Sequence, residues 1–420
     1  MNSIFSKLPL PQGITAREYD CGNGAFMLLY TDTEKALFDK ICYALESIGF
    51  SVYDTTEIEN NFHRTYLADI SVHIYYCENE KTLRIIASEK FEKYPTAPSS
   101  HSENATLWQF EVDHSLIDCG MCYIVKTAQG KFFVVDSAHP YSVNDDIRIC
   151  EFLKKMSGGR KPVVEGWYIT HGHDDHICKL TDILRHRMSE IEIKAVYYNL
   201  PSLDHRDKGY WGHACVNFMR DFEEVLAKRP EIKRIKLHTG QHFYIDNLEF
   251  TVLCTHEDIF PNVVSDFNNT TIALMMRVGN SKVFFPGDCS AESDKVFIKR
   301  YKNSLKCDVM QMSHHGHSGT SPEFYRRANA ECVLFPITQI KFDEELPRQE
   351  SNRVAIDISK EYHIASNGAV EIPLPYVYGN TKVLPDETFE DFNGIFNLWQ
   401  YEYTDERKEQ LYSEFLKRKG

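Results

Sequence analysis

The stretch "YITHGHDDHI", residues 168–177, puts His171, His173, Asp174, Asp175 and His176 within six consecutive positions directly behind an apolar, β-branched run. Imidazole nitrogens and carboxylate oxygens together are a donor set suited to zinc and other first-row divalent ions. With 18 histidines in 420 residues, one such cluster can arise by chance, so its surroundings decide. Two further stretches share its grammar. "SKVFFPGDCS" runs an apolar strand into a glycine-containing turn bearing Asp288, and "KCDVMQMSHHGHSG" runs another into His314 and His315. A polar, hydrogen-bonded turn would explain one such tip; three separate His/Asp-tipped strands favour convergence on metal.

The elements that must aim these residues can be traced along the chain. "VVEGWYIT" is a strand, and "HICKLTDILRHRM" carries Ile177, Leu180, Ile183 and Leu184 on one helical face. The cluster therefore occupies a strand-to-helix turn, in which alternate residues His171 and His173 flank a glycine, Gly172, that offers no side chain to obstruct them. Asp175 and His176 then fall in the first helical turn. Upstream, "LWQFEVDHSLIDCGMCYIVKTAQGKFFVVDSA" reads as short strands, with Cys119 and Cys122 in a turn rather than a redox or zinc CxxC, and "VNDDIRICEFLKKMS" reads as a helix. The first hundred residues read as strand, helix, strand, strand, with "EYDCGNGAFMLLYT" a candidate strand pair. The helix is "DTEKALFDKICYALESIGF", with Asp32/Thr33 as its cap and Leu37, Ile41, Leu45 and Ile48 on its apolar face. Pro, Ser and Asn concentrate in "KYPTAPSSHSENAT", which serves as a linker. The expected division is an N-terminal α+β accessory unit over 1–104, a main unit over 105–385 and a helical tail over 386–420.

With these turns in this order the sequence resembles the metallo-β-lactamase superfamily over roughly residues 107–380. His171, His173, Asp175 and His176 fit its HxHxDH motif, Asp288 fits its Gly-Asp, and the pair His314/His315 fits its last metal motif. "DFNNTTIALMM", "VFFPGD" and "DVMQMSHHGHSGTS" are similar to the subgroup containing the hydrolase domain of DNA-uptake competence channels and bacterial phosphorylcholine esterases. The resemblance implies an α+β fold, an αββα sandwich of two mixed sheets flanked by helices, with metals at one edge: usually zinc, sometimes iron or manganese. Most members carry a histidine where Asn268 and Asn269 stand here, so the first ion is expected to be held by fewer protein ligands, by Asn268, or by His256 from "CTHED".

On this reading His171 and His173 hold the first of two divalent ions, Asp175, His176 and His315 the second, and Asp288 bridges them. Two such ions share and activate a hydroxide and clamp the oxygens of an in-line displacement. His314 is left to touch substrate or protonate the leaving group, with its role and that of His315 exchangeable. Asp174 is expected to start the helix or support a ligand. Tyr210, Trp211 and His213 are candidates for a substrate-facing loop, against the plainer reading of a surface loop. His238, His242 and His317 are expected to be structural or solvent-facing, and "KRYKNSLK" a solvated helix face.

Charge and composition narrow the function. The formal charge of −14, from 47 basic and 61 acidic residues, weighs against general nucleic-acid binding, which draws on Lys and Arg to neutralise phosphates. No segment has the 18 or so apolar residues that cross a bilayer, the start lacks the apolar core of a secretory signal, and scattered cysteines suit a reducing compartment, so a cytoplasmic protein is expected. The favoured activity is hydrolysis of a small phosphoester or phosphodiester. The alternatives are a carbonyl substrate (thioester, lactone or amide) at the same site, and a non-catalytic metal-containing binding protein. Homo-oligomerisation, substrate capping and partner binding are the candidate roles of the N-terminal unit.

Overall fold

The computed structural model describes residues 2–202, 213–264, 266–387, 389 and 404–419. Among these residues the strands form three sheets. The N-terminal sheet has six antiparallel strands in the order Arg17–Asp20, Ala25–Tyr30, Thr82–Ser88, Ser71–Cys77, Asn61–Leu67, Ser51–Ile58. The strand pair read in "EYDCGNGAFMLLYT" is present, and the rest of that region's reading is corrected: "RTYLADISVHIYYCE" is two strands, not one, and the polar "SVYDTTEI" forms an edge strand that lacks the apolar alternation of a half-buried one. The helix Lys35–Ser47 packs Phe38, Ile41, Cys42 and Leu45 onto one face of the sheet. It starts after Glu34 without a side-chain cap, so Asp32 and Thr33 do not cap it, and Ile48 lies exposed beyond its end.

The remaining two sheets lie face to face. The first has nine strands, with Phe132–Val135, Val163–Tyr168, Ala195–Tyr198 and Lys233–Lys236 mutually parallel and Tyr123–Lys126, Ala105–Gln109 and Val370–Leu374 antiparallel. The second has seven, from His242–Ile245 through Leu248–Cys254, Ala273–Val278, Ser281–Phe285, Val309–Gln311 and Cys332–Phe335 to Glu361–Ile364. Alternation makes the sandwich: Phe133 and Val135 meet Phe250, Leu274 and Phe285 between the sheets, while Phe132 and Val134 from the same strand turn outward under helices. The helices Asp145–Met156, Asp174–His186 and His213–Ala227 cover the outer face of the first sheet. Ala291–Arg300, Pro322–Ala328 and Glu350–Ile358 cover that of the second. The result is four layers, αββα, with a third sheet attached.

The linker between the two parts is pinned to the sandwich rather than loose, because Tyr94 is buried and Ser99 N–H donates to the Asp246 carbonyl at 3.0 Å. The helix Asp405–Lys419 returns to pack Leu411 and Tyr412 against Leu116, Tyr141 and Val143. None of the described helices is long and apolar enough to cross a membrane.

Candidate metal centre

The strand Val163–Tyr168 of the first sheet delivers His171 and His173, and the helix that follows begins at Asp174, so Asp175 and His176 sit in its first turn. From the second sheet, Ser281–Phe285 ends in the turn bearing Asp288, and Val309–Gln311 ends in the turn bearing His314 and His315. Gly287 has φ +55°, and a Cβ there would lie 2.6 Å from Thr271 Cγ2, so the Gly-Asp turn tolerates no side chain before the aspartate. His314 and His315 themselves adopt left-handed backbone angles, φ 50° and 56°, which sharpen the turn and separate the two rings.

These turns bring two donor groups together around one shared carboxylate. Asp175, His176, Asp288 and His315 form one, with ligand atoms all within 4.8 Å of one another, and His171, His173 and Asp288 form the other. His315 Nε2 lies 3.1 Å from Asp175 and 3.4 Å from Asp288, and His176 Nε2 is 3.3 Å from the same Asp288 oxygen. His171 Nε2 and His173 Nδ1 face each other at 2.9 Å. His171, His176, Asp288 and His315 are at most 2% exposed, whereas His173 is partly open to solvent.

Outer hydrogen bonds fix which nitrogen of each ring points inward. His176 Nδ1 donates to Asp136 at 2.7 Å, and His315 Nδ1 to the Pro336 carbonyl at 2.8 Å. Thr170 donates its hydroxyl to Asp136 at 2.8 Å, leaving a lone pair for His171 Nδ1 at 3.0 Å. All three rings therefore present Nε2 to the shared space, the arrangement that orients imidazole ligands on a metal. Asp136 was not among the residues singled out from sequence. It lies forty positions before His176, at the end of the strand Phe132–Val135, and only its "VVDS" strand-end position marked it.

The electrostatics fit a cation. Burial would raise the carboxyls of Asp175 and Asp288, yet the surrounding imidazoles hold both well below the usual carboxylate range. Burial would likewise lower His176 and His315, but the same carboxylates outweigh it, lifting His176 well above its ordinary value and His315 to about 10. Protons on these rings thus balance carboxylate charge that divalent ions would otherwise balance, and metal binding would release them. Asp288 Oδ1 is buried without a hydrogen-bond partner, an oxygen that a bridging position between two ions would satisfy. The residues present fit a two-ion centre.

Around the mouth, Asn268 Nδ2 lies 3.3 Å from His314 Nε2, while Asn268 Oδ1 is buried and unpartnered. The neighbouring Asp266 carboxylate comes within 3.9 Å of His173 Nε2, and the Phe267 ring packs on the His173 ring. His256, the other candidate for the first ion, is corrected: it groups with Cys21 and Glu257 instead. Thr255 and Asp258 exchange capping hydrogen bonds in a tight turn, and Asp258 is drawn to Tyr75 and Arg300, which turns this segment toward the N-terminal sheet. Asp174 pairs with His139 Nε2 at 3.3 Å, a supporting contact. Tyr210 and Trp211 lie outside the described residues, as does the side chain of His213, whose backbone opens the helix to Ala227.

Two face-to-face mixed sheets, helices outside both, and ligands from the strand ends of each sheet meeting on one aspartate decide the architecture. This is the metallo-β-lactamase fold. No protein-family model and no curated protein matches the chain. Among similar solved structures is the metallo-β-lactamase fold protein YhfI from Bacillus subtilis, 12% identical over 62% of this chain and 96% of that one, with a TM-score of 0.38. Yeast PDE1 is 13% identical over 62% and 97% of the two chains, TM-score 0.39. CmlA, a diiron β-hydroxylase from Streptomyces venezuelae, is 10% identical over 66% and 55%, TM-score 0.39.

Asp136→Asn tests the outer support of this centre. The amide keeps the size of the side chain but loses the charge that orients His176, so metal affinity should fall roughly 10–100-fold, read by competition against a chromophoric chelator. Wild-type affinity in the variant would remove Asp136 from the site.

Proposed function

We propose that the protein is a metal-dependent hydrolase of a small phosphoester or phosphodiester. The carrying observation is the meeting of two His/Asp donor sets on Asp288, with His314 and Asn268 set at the mouth and outside both sets. Divalent ions held there, with zinc favoured, would supply Lewis acidity and an activated water. The chain's own groups supply the rest. His171, His173, Asp175, His176 and His315 fix the centre, and Asn268 is the candidate to complete the first ion's coordination through its unpartnered carbonyl oxygen.

His314 Nδ1 donates to the Ser318 carbonyl at 2.8 Å, which holds Nε2 toward the mouth. Nε2 faces the Asn268 amide nitrogen as an acceptor at 3.3 Å. Once it has taken up a proton and turned from that amide, it passes the proton to the departing oxygen as the P–O bond breaks, leaving the alcohol neutral. The turn "SHHGHSG" is rich in small residues and backbone N–H groups, which suits the crowded oxygens of a phosphoryl group. The overall charge of −14 favours a small substrate over a polyanion.

Hydrolysis of bis-p-nitrophenyl phosphate, compared with p-nitrophenyl acetate, on protein carrying about two ions per chain tests the assignment. Turnover of the diester supports it; turnover of the acetate alone transfers the site to carbonyl substrates. Metal without either activity, across a screen of both classes, favours a binding protein. His314→Ala should lower kcat by about 100-fold with the metal content unchanged. A variant that loses metal instead would make His314 a ligand.

A further inference from the structure

We propose that Cys21, His256 and Glu257 form a second, separate zinc site that ties the N-terminal hairpin to the sandwich. Cys21 lies in the turn of the first hairpin, where its N–H donates to the Ala25 carbonyl at 2.9 Å. His256 and Glu257 occupy the short turn after the strand Leu248–Cys254. One donor atom from each residue lies within 4.8 Å of the others, and all three residues are 0% exposed.

The observation that asks for a ligand is His256. Neither of its ring nitrogens has a hydrogen-bond partner, although the ring is wholly buried. Buried polar groups are almost always satisfied, and an exception in a native interior calls for a water or an ion. The Cys21 carbonyl, which accepts from the Lys236 ammonium at 2.8 Å, also lies near the ring and has a second lone pair, so it can serve one His256 nitrogen and leaves the other for an ion.

Glu257 is held as an outer-supported ligand would be. Its Oε1 accepts from His238 Nδ1 at 2.8 Å and from Asn199 Nδ2 at 3.0 Å, and its Oε2 accepts from Thr255 Oγ1 at 3.1 Å. One sulfur, one nitrogen and one oxygen donor make a set that selects zinc over magnesium or calcium, with a fourth position for water. Binding forms the S–Zn bond as the Cys21 thiol proton leaves to solvent, so thiolate and carboxylate together balance the divalent ion. Lys236 and Arg84 face this group as cations, and Asp20 and Glu223 offset them.

Cobalt substitution reads this site apart from the hydrolytic one, because the His/Asp centre has no thiolate donor. The full chain, stripped with a chelator and reloaded with Co(II), should show thiolate-to-cobalt charge-transfer absorption and bind one more ion than Cys21→Ser. The band should vanish in Cys21→Ser, weaken with at least about tenfold lower affinity in His256→Gln, and persist in Asp288→Ala. Absence of the band from wild type overturns the proposal. So does an intact band in Cys21→Ser, which would point to another thiol such as Cys332, grouped with Glu361 and His363.

Discussion

Asp288→Ala is expected to lose diester turnover by more than the roughly 100-fold that removing an outer support of a metal ligand costs, and to retain fewer than two ions per chain at the His/Asp centre. Asp288 is the residue common to both donor groups. Removing it takes a ligand from each ion at once, whereas removing His173 or Asp175 strips only one. The change leaves no overpacked side chain, and the turn is already fixed by Gly287 and by Gln311, whose side chain accepts from Gly287 N–H at 2.8 Å and donates to its carbonyl at 3.0 Å. The fold should therefore survive, with unchanged far-ultraviolet circular dichroism. Metal analysis and turnover on the same preparation decide the matter. Full activity in the variant would eliminate the shared-carboxylate centre as the seat of that turnover.

The ligand-bearing turns were legible in sequence because each joins an apolar run to a glycine and a metal-capable tip within a few residues. Local pattern carries such information. What the sequence concealed depends on pairs far apart in the chain. Asp136 meets His176 across forty residues, and nothing local distinguishes it from any other aspartate after a strand. His256 looked available to the first ion because "CTHED" follows a strand, but the Asp258 and Glu257 contacts that turn it away come from residues 75, 300 and 238. The N-terminal sheet was only half read, since its edge strand is polar and two of its strands run together as one apolar stretch. In "KRYKNSLK" Lys299, Lys302 and Lys306 are exposed as read, but the pattern concealed Arg300, which is 0% exposed.

That arginine joins the N-terminal sheet to the sandwich. It ends the helix Ala291–Arg300 and forks onto Glu80 with two bonds of 2.8 Å, while its other nitrogen reaches Asp258 at 2.6 Å. Tyr75 from the N-terminal sheet donates to the same Asp258 oxygen at 2.8 Å, and Asn61 donates to the Arg300 carbonyl at 3.1 Å. Arg300→Met keeps much of the volume but leaves two carboxylates buried without their main cation. Breaking such a pair costs about 3–5 kcal/mol, far more than an exposed ion pair, because the remaining charge cannot be rehydrated.

The variant should unfold at lower temperature and lower urea at pH 7, and the difference should narrow in acid. Burial alone would raise the Glu80 carboxyl, but Arg300 and Arg84 outweigh it and hold it down at about 2. Asp258 is depressed in the same way. Because these folded values lie below the unfolded ones of about 4, the ionised carboxylates stabilise the protein above that pH. Their contribution is lost as the pH falls from about 4 toward 2. Wild type therefore has a part of its acid limb of stability, that of Glu80 and Asp258, which Arg300→Met lacks. Urea midpoints for both proteins between pH 7 and pH 3 test this directly. Parallel profiles, or a variant as stable as wild type at pH 7, would show that apolar packing rather than this ionic junction holds the N-terminal sheet in place. Adding Glu80→Gln to the variant separates the two cases further, since it removes one stranded charge and should recover part of the lost stability only if the junction is what failed.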